Sequence, residues 1–204
     1  MTAILKVDTI QDTSGNNIIN ENANTITIGK SGDTTNIVGT LQNDGAAFAQ
    51  GITMADQWRL TADVTTSDSV LTTNLERVDT AGQGTLGTGM TQGSGIFSFP
   101  STGIYLVEFA TTYFLNGDSR YVSCEIQATV DNSSYNVVAL DTSFVQQTNS
   151  GATSGFVRTS SLIDVTDVSN VKVKFRVSSF ASVTIGSNTS YNRTFMTFIR
   201  LGDT

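Results

Sequence analysis

One stretch constrains the fold more than any other: the run from Gly95 to Leu115. It reads as strand, tight turn, long strand. Pro100, the only proline in the chain, suits the first corner of a turn because its ring pre-sets φ. Gly103 closes that turn, where a positive φ costs least for a residue without Cβ. Beyond it, Tyr105, Val107, Phe109, Tyr113 and Leu115 alternate with Ile104, Leu106, Glu108, Ala110, Thr112 and Phe114. The first set is one apolar face broken only at Thr111, the period of a strand laid against a core. The run is therefore expected to form the first hairpin-like corner of a β-sandwich.

The rest of the chain agrees with an all-β reading. Charged residues make up only 14% of 204, while Gly, Thr, Ser and Asn are abundant. That mixture suits short strands and polar turns and lacks the residues that fill helices. A net charge of −7 argues against nucleic acid, whose phosphates need a basic patch. The chain has no His, which removes the usual zinc ligand, the neutral-pH base and a Ser-His-Asp arrangement together. Cys124 is the sole cysteine and falls inside an alternating strand, so it reads as a buried structural thiol. Met1 to Ile10 lacks the apolar core of a signal peptide, and no stretch is long enough to span a bilayer. The expectation is synthesis in a cytoplasm, no membrane insertion, and export, if any, as part of an assembly.

Taken in order, residues 1 to 57 carry small apolar packets (Ile4-Leu5-Lys6-Val7, Ile18-Ile19, Ile26-Thr27-Ile28, Ile37-Val38) separated by Asn, Gly and Thr. Such packets cannot offset the entropy of ordering one chain alone. They favour an intertwined β stalk of several chains, with disorder as the competing reading. Ala46 to Gln50 reads as one turn of helix or a collar. Trp58 opens the head: Trp58 to Val64 alternates as a strand, and Val70-Leu71 with Leu75 to Val78 gives a second. Gly82, Gly84 and Gly87 match the G-x-G-x-x-G spacing, but more glycines follow where a phosphate-binding helix should start, so a flexible connection is expected.

Asn116-Gly117-Asp118 is a hairpin turn signal. Val122, Cys124, Ile126, Ala128 and Val130 then make a clean alternating strand. Further strands are expected at Tyr135 to Leu140, Phe144-Val145 and Phe156 to Val165. Val171, Val173, Phe175 and Val177 alternate with Lys172, Lys174 and Arg176, whose charges read as a solvated face that blocks edge-to-edge pairing. The last strand, Phe195 to Leu201, is apolar on both sides: Phe195, Ile199 and Leu201 on one, Met196 and Phe198 on the other. Burial against both its own sandwich and a neighbouring subunit follows, so Phe195, Met196, Phe198 and Ile199 are the candidate trimer-interface residues.

The run Phe97 to Phe109 resembles the F-x-x-P-x-x-G-x-Y-x-V/F signature of C1q/TNF-like jelly rolls, and Phe195 to Asp203 is similar to that family's last strand. Val168-Ser169-Asn170 stands where such domains carry a Gly-Asp turn. Ile4 to Asn16 resembles the start of fibre and appendage proteins of tailed bacteriophages, notably marine ones. These resemblances imply a homotrimeric fibre in a virion. Residues 1–20 would attach it to another virion protein through Ile4, Leu5, Val7 and Ile10, residues 21–57 would form a stalk and collar, and residues 58–204 a C1q-like head.

Catalysis is not expected. Glu76, Glu108 and Glu125 are the only Glu residues of the head, and none pairs with a second carboxylate as glycoside hydrolysis requires. Asp residues cluster in turns, where their side chains stabilise the turn itself. C1q-like trimers in some cases hold calcium near the axis, but no spacing here nominates its ligands. No cofactor and no metal residues are assigned. Two functions remain. In the first, the knob binds a host-surface glycan or protein, with Tyr113, Tyr135 and Tyr191 as contact residues because aromatic rings stack on sugars. In the second, the chain decorates a capsid or tail and needs no specific receptor.

Overall fold

The computed structural model describes residues 38–39, 42–43, 46–47 and 51–204. Ile4, Leu5, Val7 and Ile10 lie outside the described residues, as does most of the expected stalk. The chain divides into two units, residues 1–48 and 49–204. In the first, β1 (Gln42–Asn43) pairs antiparallel with β2 (Ala46–Ala47). Ala46 and Ala47 are thus extended, and the turn of helix expected to begin at Ala46 does not start there.

The second unit contains β3 (Met54–Leu60), β4 (Val64–Val70), β5 (Leu75–Arg77), β6 (Thr91–Gly93), β7 (Ile96–Ser98), β8 (Gly103–Leu115), β9 (Ser119–Thr129), β10 (Asn136–Val145), β11 (Thr153–Val165), β12 (Lys172–Ile185) and β13 (Phe195–Gly202). Every strand pair is antiparallel. The ladder order defines two layers. One runs β11-β8-β13-β3-β5; the other runs β10-β9-β12, with β4 and β7 on the far side of β12 and β6 beyond β7. The layers join only where Thr184 and Ile185 of β12 meet Phe114 and Tyr113 of β8.

The alternation read in β8 is the alternation observed. Tyr105, Val107, Phe109, Thr111 and Tyr113 are fully buried between the layers. Opposite them stand Val122, Cys124 and Ile126 of β9 and Val173, Phe175 and Val177 of β12, all fully buried. Phe175 centres an aromatic cluster, with ring centroids 5.1 Å from Phe109, 5.3 Å from Phe97 and 5.9 Å from Phe198. Burial pushes the Cys124 thiol up to about 12, as expected for a structural thiol in an apolar layer.

Three connections differ from the sequence reading. Pro100 to Gly103 is a corner, but not a hairpin: β7 lies on β12 and β8 lies in the other layer. Asn116 to Asp118 also crosses between layers, since β8 and β9 share no ladder. A two-residue Asn-Gly hairpin needs positive φ at both positions, and only Gly117 has it (φ 151°). Lastly, the chain turns at Thr61 to Asp63, between β3 and β4. β4 carries the polar sequence Val64-Thr65-Thr66-Ser67-Asp68-Ser69-Val70, of which the sequence reading assigned only Val64 and Val70 to strands. It is a strand because β12 supplies its ladder partners.

Candidate contact surfaces

The outer face of the β8 layer is set by parity. Even-numbered residues of β8 point away from the core, and the register places Leu162 of β11 and Ile199 of β13 on either side of Leu106, with Ala55 of β3 opposite Ile199. This makes an apolar row across four strands, with Leu162 62% exposed. The next row is polar: Ser160, Glu108, Thr197 and Gln57. Arg158 Nε meets Glu108 Oε1 at 3.2 Å, and Gln57 Nε2 donates to Thr197 Oγ1 at 2.9 Å. Phe195 and Ile199 therefore face outward. Met196 and Phe198 do not: both are fully buried in the core of their own chain, and their assignment to a subunit interface is withdrawn. Strand periodicity forces this, because neighbouring residues cannot share a face.

At the other end of this layer the glycine-rich run is not a loose connection. Asp56, its side chain wholly buried, accepts from the Met90 N–H at 2.7 Å, Arg77 Nε at 2.9 Å and the Trp58 indole N–H at 3.0 Å. Arg59 is equally buried and donates to Glu76 (2.7 Å), Asp79 (2.5 Å), Thr80 (3.0 Å) and Gln83 (3.0 Å). These clasps fix residues 76–90 against β3. The run opens no helix, so it offers no phosphate-binding helix N-terminus. Of Gly82, Gly84 and Gly87, the last serves packing: a Cβ at Gly87, where φ is 64°, would collide with the Thr53 carbonyl oxygen.

Lys172, Lys174 and Arg176 also take a different role from the one expected. β12 is flanked by β9 on one side and by β4 and β7 on the other, so no edge needs protecting. Arg176 instead ties three strands. Its Nη1 donates to Glu125 at 2.7 and 2.8 Å, and its Nε and Nη2 donate to Asp68 at 2.7 Å each. The same bonds hold the Asp68 carboxyl below its usual range. Lys172 donates to the Val168 carbonyl at 2.6 Å. Lys174 Nζ stands 4.1 Å from the centre of the Tyr135 ring. Tyr135 is half-buried, and burial raises its phenol above the ordinary value. One ring face is thus already occupied.

The turn carboxylates behave as read. Asp131 Oδ1 accepts from the Ser134 N–H (2.7 Å), the Thr129 hydroxyl (2.7 Å) and the Ser133 N–H (2.9 Å), which hold its carboxyl far below the usual range. Asp167 accepts from the Ser169 N–H at 2.7 Å. Among the described residues no group of three acidic or thiol side chains is placed to hold a metal ion.

The chain enters the sandwich at Met54, beside Arg200 of β13, which in turn lies opposite Tyr105 near the start of β8. The opposite end gathers the loops 61–63, 116–118, 146–152 and 186–194. Tyr191 lies there, 54% exposed, with its N–H donating to Asn188 Oδ1 at 3.2 Å. Tyr113 does not reach the surface. It is fully buried, its hydroxyl donates to the Phe144 carbonyl at 3.2 Å, and it is withdrawn as a contact residue. The ring was correctly placed on the core face by parity; its polar tip is satisfied internally.

What the sequence reading missed is the pair of rings that are displayed. Phe144 is 67% exposed and Phe180 56%. Each sits at a register shift, Phe144 between Ser143 and Val145 of β10 and Phe180 between Ser178 and Val183 of β12. Both nevertheless follow the alternation, each more exposed than the neighbours on either side of it, Ser143 and Val145 or Ser179 and Ala181; a reading that turns every large apolar side chain of a strand toward the core passes over an outward Phe. Tyr121 stands edge-on to Phe180 (centroids 6.4 Å), and Arg120 lies over the Phe180 ring at 4.6 Å. Between these elements lies an open groove of about 420 Å³ lined by Asp118, Arg120, Phe144 and Gln146 among others.

No protein-family model and no curated protein matches the sequence. Solved structures do. The chain is similar to Eiger TNF from S. frugiperda, with a TM-score of 0.58 and 14% identity over 76% of this chain and 96% of that one. Murine APRIL aligns with a TM-score of 0.49 and 12% identity, over 72% of this chain and 98% of that one. The first likeness shows the fold: residues 49–204 form a TNF-like jelly roll, the sandwich that the Phe97 to Phe109 signature implies.

Proposed function

We propose that the chain is a non-catalytic fibre protein of a tailed-bacteriophage virion, assembled as a homotrimer, with the jelly roll as a knob that meets the host surface. Residues 1–20 dock it on another virion protein through Ile4, Leu5, Val7 and Ile10, and it reaches the outside of the cell as part of the particle. The Ile4 to Asn16 resemblance supports the virion assignment. One observation carries the trimer: the apolar row Leu162, Leu106, Ile199 on the outer sheet face, flanked by outward Phe195 and half-exposed Phe156. A contiguous apolar strip on an outer sheet face is covered by a partner in most soluble proteins. A second copy offers the same strip, and Arg158 with Glu108 supplies opposite charges at its border. Phe195 and Ile199 remain interface residues; Tyr191 remains a contact residue, and Tyr135 contributes only the ring face that Lys174 leaves open.

Light scattering on the purified full chain tests the assembly. The expected mass is three times 21.7 kDa. Leu106→Glu with Leu162→Glu should yield a folded monomer, and an unchanged trimer would place the interface elsewhere. Host contact is tested by binding of the labelled chain to cells the virion infects and by competition with infection. A chain that sits on the particle yet neither binds nor competes would leave the decorating role.

A further inference from the structure

We propose that the groove between Phe144 and Arg120 is a saccharide-binding site, selective for neutral sugars. The proposal rests on the host-contact reading above and gives that contact a place and a ligand class.

The groove is built rather than incidental. Phe144 stands on the outward face of β10, opposite the extra residue that β9 carries between Ser119 and Val122, and its carbonyl accepts from the buried Tyr113 hydroxyl. Across the groove, the Ser119 hydroxyl donates to the Tyr121 carbonyl at 2.7 Å and accepts from the Ala181 N–H at 3.2 Å. Ser179 donates to the Ala181 carbonyl at 2.7 Å. Those bonds lock the β12 bulge beside β9, so that Phe180 and Tyr121 stand together. Arg120 lies over the Phe180 ring, its guanidinium carbon 4.6 Å from the ring centre, and among the described residues no carboxylate lies within ion-pair distance of it. Asp118 accepts the Gln147 N–H on Oδ1 at 2.6 Å, and Gln147 Nε2 donates to Asn116 Oδ1 at 2.7 Å. The two loops that wall the groove are thereby joined.

The lining selects the ligand. An exposed ring gives a stacking platform for the C–H face of a pyranose. Beside it, Arg120 donates, Asp118 accepts and Gln146 does both, which is the pattern that adjacent sugar hydroxyls satisfy. An apolar peptide side chain would bury Asp118 and Arg120 without partners, at a penalty. An anionic glycan, phosphate or lipid headgroup would meet the Asp118 carboxylate and a chain of net charge −7. A neutral sugar meets one positive and one negative group of opposing sign, so binding should depend little on salt. Monovalent affinity in such an open groove is weak, and repetition on a particle compensates for it.

The test uses the full chain and immobilised oligosaccharides of glucose, galactose, mannose and N-acetylglucosamine, with uronate and sulfated sugars alongside. Saturation-transfer NMR with the matching methyl glycosides follows. At least one neutral sugar should bind, with affinity changing less than about twofold between low and physiological salt. Phe144→Ala and Arg120→Ala should each weaken binding by about tenfold, while Val130→Ala, at an exposed position away from the groove, leaves binding unchanged and the melting temperature stays unaffected in all three. Binding to no neutral sugar, preference for the acidic sugars, or affinity indifferent to both groove substitutions would each overturn the proposal. The underlying reading is separable. A chain that binds host cells undiminished by Phe144→Ala keeps its host contact and loses this groove. A chain that binds sugar but not cells keeps the groove and loses the host contact.

Discussion

Replacing Asp56 by Ala removes the acceptor that holds the Met90 amide, the Trp58 indole N–H and the Arg77 guanidinium to one buried point. The groups fare differently once it is gone. Arg77 is 40% exposed and Thr85 is exposed, so both regain water, and the ion pair itself contributes no more than about 1 kcal/mol. The Met90 amide and the indole N–H are enclosed, and a stranded buried donor costs about 1–3 kcal/mol. Together the substitution should destabilise the head by about 3–4 kcal/mol. For a unit of this size that lowers Tm by about 6–16 °C. Asp56→Asn keeps the shape and one acceptor oxygen and should lose about half as much. Scanning calorimetry reads the stability, and amide exchange at Met90 reads the clasp. A Tm within about 2 °C of wild type, or a lower Tm with Met90 exchange unchanged, would refute the idea that Asp56 secures the glycine-rich segment.

Other expectations follow from single contacts. Gly103→Val puts a side chain at φ 138° with its Cβ 2.5 Å from the Gly202 carbonyl oxygen; that backbone atom cannot swing aside, and denaturant unfolding should show a loss of about 3 kcal/mol or more. An unchanged midpoint would mean the corner is misassigned. Tyr113→Phe removes the hydroxyl that supports Phe144 and should cost about 1 kcal/mol in the same assay, with no loss of fold. The Asp131 carboxyl is depressed by the Ser134 amide first, then the Thr129 hydroxyl and the Ser133 amide. Its contribution is therefore full above the unfolded value near 3.8 and is lost as the pH falls below it. Urea midpoints at pH 7 and pH 3 should drop further for wild type than for Asp131→Asn; equal drops would remove Asp131 from the acid response. Cys124, buried with its thiol raised, should stay unreactive toward Ellman's reagent at pH 8 until the chain unfolds, and prompt labelling of native protein would contradict its burial.

The sequence disclosed what depends on period and local chemistry. The inward face of β8, the Cys124 strand and the Asx turns at Asp131 and Asp167 follow from residues a few positions apart. It did not disclose which strands are neighbours. Asn116-Gly117-Asp118 has hairpin chemistry and makes a crossover, because ladder partners are chosen by residues tens of positions away. Burial of Arg59 and Asp56 was hidden for the same reason: their counter-groups lie at Glu76 to Gln83 and at Arg77 to Met90. β4 is too polar to read as a strand until Arg176 is seen reaching across to Asp68. The displayed rings were hidden for another reason. Phe144 and Phe180 keep the alternation of their strands but sit on the outward face, where a large apolar side chain is not looked for.

The position of β13 has a consequence for biosynthesis. It lies between β8 and β3, so the strand that follows all others of the jelly roll in sequence is inserted into the middle of its layer rather than added at a border. Until Phe195 to Gly202 is available, β3 has only β5 beside it, and the inner face of β8 lacks Met196 and Phe198 as apolar neighbours within its own layer. The layer cannot close progressively as the chain emerges, and contacts so distant in sequence form slowly. A chain interrupted anywhere before Phe195 leaves its core open, which exposes it to proteolysis before it can join an assembly. The topology thus acts as a check on synthesis: only chains carried through β13 close the layer whose outer face the proposed trimer would use.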